Sequence, residues 1–156
     1  MKLTAIVLVT ASCGYSAGSF RDWKGAFPGT VQTIGCVEIG VATATDQYAT
    51  GPVIAYSFGN RCTHAVTLDL ATVRAVGRDA DGRERTLTAF DPRGELRPVP
   101  LDGLWSAREQ VEYVAVEPAQ LVSVCVDIGG VDASAPRTEQ WVCNDVHVAA
   151  NLEASR

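Results

Sequence analysis

The feature that most constrains this chain is a period of two. From Ile34 onward apolar residues recur at alternate positions in short runs: Val37, Ile39 and Val41 against Glu38 and Gly40; Ile54, Tyr56 and Phe58 against Ala55 and Ser57; Val66, Leu68 and Leu70 against Thr67 and Asp69. Successive side chains of a β-strand point to opposite faces, so each run describes a strand with one buried face. Val122, Val124, Val126 and Ile128 repeat the pattern, QVEYVAVE at 110–117 is a further Val-rich run, and a last strand is expected over 140–149 around Trp141, Val142, Val146 and Val148. No stretch has the spacing of a long amphipathic helix, and the best candidate, Trp105 to Gln110, is a single turn.

Between the runs stand residues that tolerate positive φ or pre-set a reversal: GN at 59–60, DADG at 79–82, DPRG at 91–94, LDG at 101–103 and GG at 129–130. The expected architecture is all-β, an immunoglobulin-like β-sandwich of about seven or eight strands with a small β-barrel as the alternative. At 156 residues the chain suits one domain, expected over 34–156.

Ahead of the strands lies MKLTAIVLVTASCGYSAGS, in which a single lysine precedes an apolar run that ends at Cys13. The run is too short to cross a bilayer as a permanent helix and has the plan of a secretory signal. Val9, Thr10, Ala11 and Ser12 before Cys13 resemble the lipobox of bacterial lipoproteins, with Thr10 where leucine is commonest. The resemblance implies a signal peptide over 1–12, removed in the mature protein, and a lipid-bearing Cys13 as the membrane anchor. Each buried methylene of an acyl chain contributes about 0.8 kcal/mol, so three chains would hold a protein at a membrane essentially for good. Gly14, rather than aspartate, follows the cysteine. Under the enterobacterial sorting rule this implies delivery to the outer membrane.

Residues 14–33 are rich in Gly, Ser and Ala and read as a tether, so 13–33 is expected to be lipidated cysteine plus spacer. A flexible spacer of some 20 residues would span about 25 Å. Phe20, Trp23 and Phe27 interrupt it, and a spacer has no physical use for three large aromatics. Docking on the protein's own domain is the favoured account of them, with a membrane interface or a partner groove as the others.

With Cys13 set aside, Cys36, Cys62, Cys125 and Cys143 form an even set, suited to two disulfides in an oxidising compartment. Pairing Cys36 with Cys62 and Cys125 with Cys143 closes the two shortest loops, each worth roughly 3 kcal/mol in unfolded-state entropy. A metal centre of four thiols is disfavoured, because no C-x-x-C spacing occurs.

Little else points to chemistry. His64 and His147 have no carboxylate or cysteine at a recognised nucleophile or ligand spacing, and no G-x-S-x-G or S-x-x-K motif occurs. Asp79, Asp81 and Glu84 in GRDADGRE could offer oxygens to calcium, but a hairpin turn at Asp81-Gly82 is the stronger reading. FDPRGELRPVPLDGLW at 90–105 reads as an edge strand guarded by prolines and charge, or as a recognition loop with Arg97 and Trp105 as partner contacts. With 18 acidic against 13 basic residues the chain is a poor match for nucleic acid. The expected protein is a noncatalytic, lipid-anchored envelope protein without cofactor, acting as a protein-interaction or structural module with an envelope protein as its partner; a small-molecule or metal-ion binding periplasmic lipoprotein is the alternative.

Overall fold

The computed structural model describes residues 20–117 and 119–146. The expected signal peptide, Cys13 and His147 lie outside them. Among the described residues ten strands are present: β1 (Thr30–Ile34), β2 (Val37–Ala44), β3 (Val53–Asn60), β4 (Val66–Leu68), β5 (Arg74–Asp79), β6 (Glu84–Ala89), β7 (Val99–Leu101), β8 (Ser106–Ala115), β9 (Leu121–Asp127) and β10 (Trp141–Asp145). The fold is all-β, as the periodicity predicts. The turn over Leu70–Thr72 is 3-10 helical, capped by the Asp69 side chain, which accepts from the N–H of Ala71.

Eight strands form one antiparallel sheet in the order β1-β2-β3-β8-β6-β5-β9-β10, and β4 pairs with β7 beside it. The sheet curls almost into a barrel because β8 serves two partners in succession. Ser106 to Glu112 pair with β3, and Tyr113 to Ala115 pair with β6. At the change of partner the loop before β3 is bound to β8: the Glu112 carboxylate accepts from the N–H groups of Thr50 and Gly51 and from the Thr50 hydroxyl, and the N–H of Tyr113 donates to Pro52. The two outer strands approach each other on the far side, where the Gln140 side chain donates to that of Gln32 at 2.9 Å.

The interior is built from the alternating residues. Val37, Ile39, Val41, Ile54, Val124, Val126 and Ile128 are fully buried, with Tyr56, Phe58 and Tyr113 nearly so. Inside this apolar core the Tyr56 and Tyr113 hydroxyls share a hydrogen bond of 2.7 Å. Burial pushes the Tyr113 hydroxyl up to about 12. Burial, reinforced by Tyr113, holds Tyr56 well above its ordinary value. The pair therefore stays protonated, and each hydroxyl satisfies the other across the sheet.

Two expectations change. Trp105 to Gln110 is not a helical turn but, from Ser106, the first half of β8; its pairing with β3 decides the conformation where periodicity is silent. The folded body also begins before Ile34. β1 starts at Thr30, and residues 20–29 lie as a strap across the outer face of β2, β3 and β8. Phe20 and Phe27 stack with centroids 5.4 Å apart and are 3% and 4% exposed, although they come from a stretch with a linker's composition. The sheet makes room for them with missing side chains: a Cβ at Gly59 would fall 2.0 Å from the Phe20 ring, and one at Gly40 would fall 2.5 Å from the Phe27 Cβ. Docking on the protein's own domain is thus what the aromatics do.

Replacing Tyr113 by Phe should destabilise the domain by about 1–3 kcal/mol, because the Tyr56 hydroxyl is left buried and unpaired. The double Phe variant should lose less than the sum of the two singles. Urea denaturation of the four proteins measures the coupling, and strict additivity would show that the hydroxyls do not depend on each other.

Candidate functional site

Chemistry-bearing side chains gather where the strap enters the fold. The N–H of Arg21 donates to Leu104 at 2.8 Å, and the Asp22 carboxylate accepts from the N–H of Ser106 at 2.9 Å. Trp23 then lies beneath the Arg108 guanidinium, 3.6 Å from ring centroid to Cζ. Arginine stacked on a half-buried indole is a favourable pairing, and it closes the strap over β8.

Against this corner stands the Cys36–Cys62 disulfide, with Cα atoms 5.5 Å apart. The Cys62-Thr63-His64 segment after β3 is held by Asn60, which is fully buried. Its carboxamide oxygen accepts from the N–H of Cys62 at 2.9 Å, and its nitrogen donates to the carbonyls of His64 at 2.7 Å and Leu101 at 3.0 Å. Leu104 supports the segment from below with φ at 66°, a left-handed conformation that costs a residue with a Cβ roughly 1–2 kcal/mol. There its N–H faces the carbonyls of both Asn60 and Cys62, at 3.0 and 3.1 Å. The result is an imidazole nitrogen of His64 and the sulfurs of Cys36 and Cys62 within 4.8 Å of one another. His64 itself is exposed.

Beneath this corner Glu38 is buried with no hydrogen bond to either carboxylate oxygen, and the Arg61 guanidinium stands 3.8 Å away. Its burial follows from its position on β2 opposite Gly59, which Phe20 covers.

A second buried charge is fully partnered. Asp127, at the end of β9, accepts from the N–H groups of Gln140 at 2.8 Å and Gly129 at 3.1 Å through one oxygen. The other oxygen receives the guanidinium groups of Arg74 and of Arg137, the latter at 3.0 Å. Arg74 also binds Glu139 and lies 5.5 Å from the Trp141 ring centroid. Burial would raise this carboxyl, but the Gln140 N–H, the Arg74 guanidinium and the Gly129 N–H outweigh it and hold the group at about 2. The cluster ties β5, β9 and the approach to β10 together, and its saturation with donors marks it as structural.

Other residues singled out by sequence take plainer places. Cys125 and Cys143 form the second disulfide across directly opposed positions of β9 and β10. GRDADGRE is the β5–β6 hairpin: the Asp79 carboxylate accepts from the N–H groups of Asp81 and Arg83, while Asp81 faces Arg83 and Glu84 faces Arg78. Its charges are matched by arginine and backbone donors, as a hairpin requires. Arg97 precedes β7 by two residues and Trp105 follows it by four; both are exposed, and no hydrogen bond joins them. The Cys36–Cys62 pairing is legible in the sequence, but the place of the His64 imidazole beside both sulfurs is not, because the Asn60 clamp on the Cys62-Thr63-His64 segment sets it. At the opposite end of β2 and β3 an open groove runs between the 43–53 loop and the 113–121 segment, with Tyr48 84% exposed on its rim.

No family model matches the chain, and no curated protein matches it. Among solved structures it is similar to the crystal structure of the yjhA protein from Bacillus subtilis, with 11% identity, 76% of this chain and 96% of that chain covered, and a TM-score of 0.48. Among the described residues no helix is long and apolar enough to cross a membrane.

The Asp127 cluster makes stability depend on acid. A carboxyl held at about 2 in the fold but near 4 when unfolded stabilises the protein above about pH 4, by about 2 kcal/mol, and this is lost as pH falls from there to about 2. Asp127→Asn should cost roughly 3 kcal/mol at neutral pH, because two arginines lose their buried counter-charge. It should also flatten the acid limb of a stability–pH curve measured by urea denaturation. An unchanged acid limb would place that dependence on other carboxylates.

Proposed function

We propose that this chain is a noncatalytic envelope module, lipid-anchored through Cys13 at the outer membrane, that holds a protein partner at a fixed height and orientation. The observation that carries the reading is the docked strap. With Phe20 already inside the fold, only the six residues from Gly14 to Ser19 separate it from the lipid-bearing cysteine that the lipobox implies. Fully extended, those seven steps reach at most about 24 Å. An anchor so short sets which end of the domain faces lipid: the corner of Phe20, Trp105 and His64 lies near the membrane, and the groove beside Tyr48 lies at the far end of the same strands.

The partner surface is then divided. Arg97 and Trp105 are the candidate contacts on the β7 side, and the distal groove with Tyr48 is the surface best placed for a protein approaching from outside the lipid layer. Two disulfides support an oxidising compartment for the folded domain. The second reading, metal-ion binding, is favoured by one specific observation, the grouping of Cys36, Cys62 and His64.

Membrane fractionation and in-cell crosslinking of the native protein and Cys13→Ala test the proposal. The native form should stay with the membrane and crosslink to one stoichiometric envelope protein; Cys13→Ala should be released and lose that crosslink. Membrane retention of Cys13→Ala at the native level would overturn the anchor. Unchanged crosslinking by a variant carrying Tyr48→Ala, Arg97→Ala and Trp105→Ala would remove those residues from the interface.

A further inference from the structure

We propose that reduction of the Cys36–Cys62 disulfide converts this corner into a zinc site, with two thiolates and the His64 imidazole as ligands and a fourth position open to water. The proposal is independent of the lipid anchor. Zinc takes thiolate sulfur at about 2.3 Å and imidazole nitrogen at about 2.0–2.1 Å, so tetrahedral ligands stand about 3.5–4 Å from each other. The three ligand atoms here already lie within 4.8 Å of one another, so small side-chain rotations close the set once the S–S bond is gone.

The backbone that presents them does not rely on that bond. Asn60 fixes both the Cys62 N–H and the His64 carbonyl, Leu104 donates to Cys62 from below, and the N–H of Arg61 donates to the Cys36 carbonyl at 2.8 Å. Cys36 is likewise carried into place at the start of β2, whose register with β3 runs from Val37 opposite Asn60. Arg61 is the cation beside the site, and its guanidinium faces the buried Glu38 carboxylate at 3.8 Å, which offsets its repulsion of a metal ion. His64 is exposed, which leaves a path for the ion and for the reductant.

The chemistry balances with one named co-reactant, a dithiol of the thioredoxin class. Its thiolate attacks one sulfur of the Cys36–Cys62 bond to form a mixed disulfide. Its second thiol resolves that bond, so the reductant leaves as a disulfide and two electrons and two protons reach Cys36 and Cys62. Binding of Zn²⁺ then displaces both thiol protons to solvent. Two thiolates and a neutral imidazole leave the site without net charge.

The test is zinc titration of the full chain against a chromophoric chelator, oxidised and reduced, together with a Cys125→Ser, Cys143→Ser variant that removes the other pair. The reduced protein and the reduced form of this variant should each take up one zinc per chain, and the oxidised form of either none. Affinity should fall about a hundredfold per pH unit between pH 8 and 7, the signature of two displaced protons. His64→Ala should weaken binding at least tenfold, and cobalt should give a thiolate charge-transfer band that Cys36→Ser and Cys62→Ser abolish. If the reduced chain loses its near-ultraviolet circular dichroism, zinc should restore it. No zinc uptake by the folded reduced protein, an unrestored fold, or unchanged affinity in His64→Ala would each overturn the proposal.

Discussion

The fold depends on one strand having to serve two partners in succession. β8 is long enough to pair with β3 along its first seven residues and with β6 along its last three. Strand pairs must satisfy their N–H and C=O groups wherever they are buried, so a strand that changes partner compels the sheet to bend at the change. The bend lies at Glu112 and Tyr113, where the 50–52 loop takes up the polar groups exposed by the transfer. Tyr113 also shares a hydrogen bond with Tyr56 inside the core, so the residue at the bend is tied by its side chain to the neighbouring strand β3. The Gln32–Gln140 hydrogen bond, on the opposite side, marks where the two remaining edges draw together.

A curled sheet of this kind leaves parts of its surface to be managed separately. The outer face near Gly40, Ser57 and Gly59 has almost no side-chain bulk of its own, and Phe20 and Phe27 cover it. Burial of two such rings contributes on the order of 3–6 kcal/mol. The strand end at Asp127 is instead closed by charge, with two guanidinium groups and two backbone N–H groups around one carboxylate. The two disulfides lie at the remaining open places, one beside the strap and one across β9 and β10. Apolar cover, ion cluster and covalent links thus divide between them the work that a thicker core does in larger domains.

Legibility in the sequence follows the same division. Where one face is buried and the other wet, as in Ile54, Tyr56 and Phe58, alternation alone finds the strand and its inner face. It fails at the first half of β8, where Ser106, Arg108, Glu109 and Gln110 surround the single apolar Ala107 and only pairing with β3 defines the conformation. It also misassigns Val122, 42% exposed at the end of a run whose other valines are buried, and Val116, which lies beyond the end of β8. Ser57 and Glu38 are buried on the outward face because the strap lies over it, a contact between distant segments that no local window contains. The disulfide pairing was accessible because short loops close most readily, whereas the proximity of His64 to Cys36 was not: it arises from the β2–β3 register and the Asn60 clamp together.

The strap carries a consequence for the order in which this protein can be made. Phe20 to Phe27 come near the beginning of the chain, but the partners that lock them down, Leu104, Ser106 and Arg108, come some 84 residues later. In a chain made amino end first, the segment cannot close until β8 has been added. For that interval Phe20 and Phe27 have no strand of β8 to latch them. The outer face around Gly40, Ser57 and Gly59 is therefore the last part of the sheet to be covered, and its covering waits on a strand made long after the rings that do the covering.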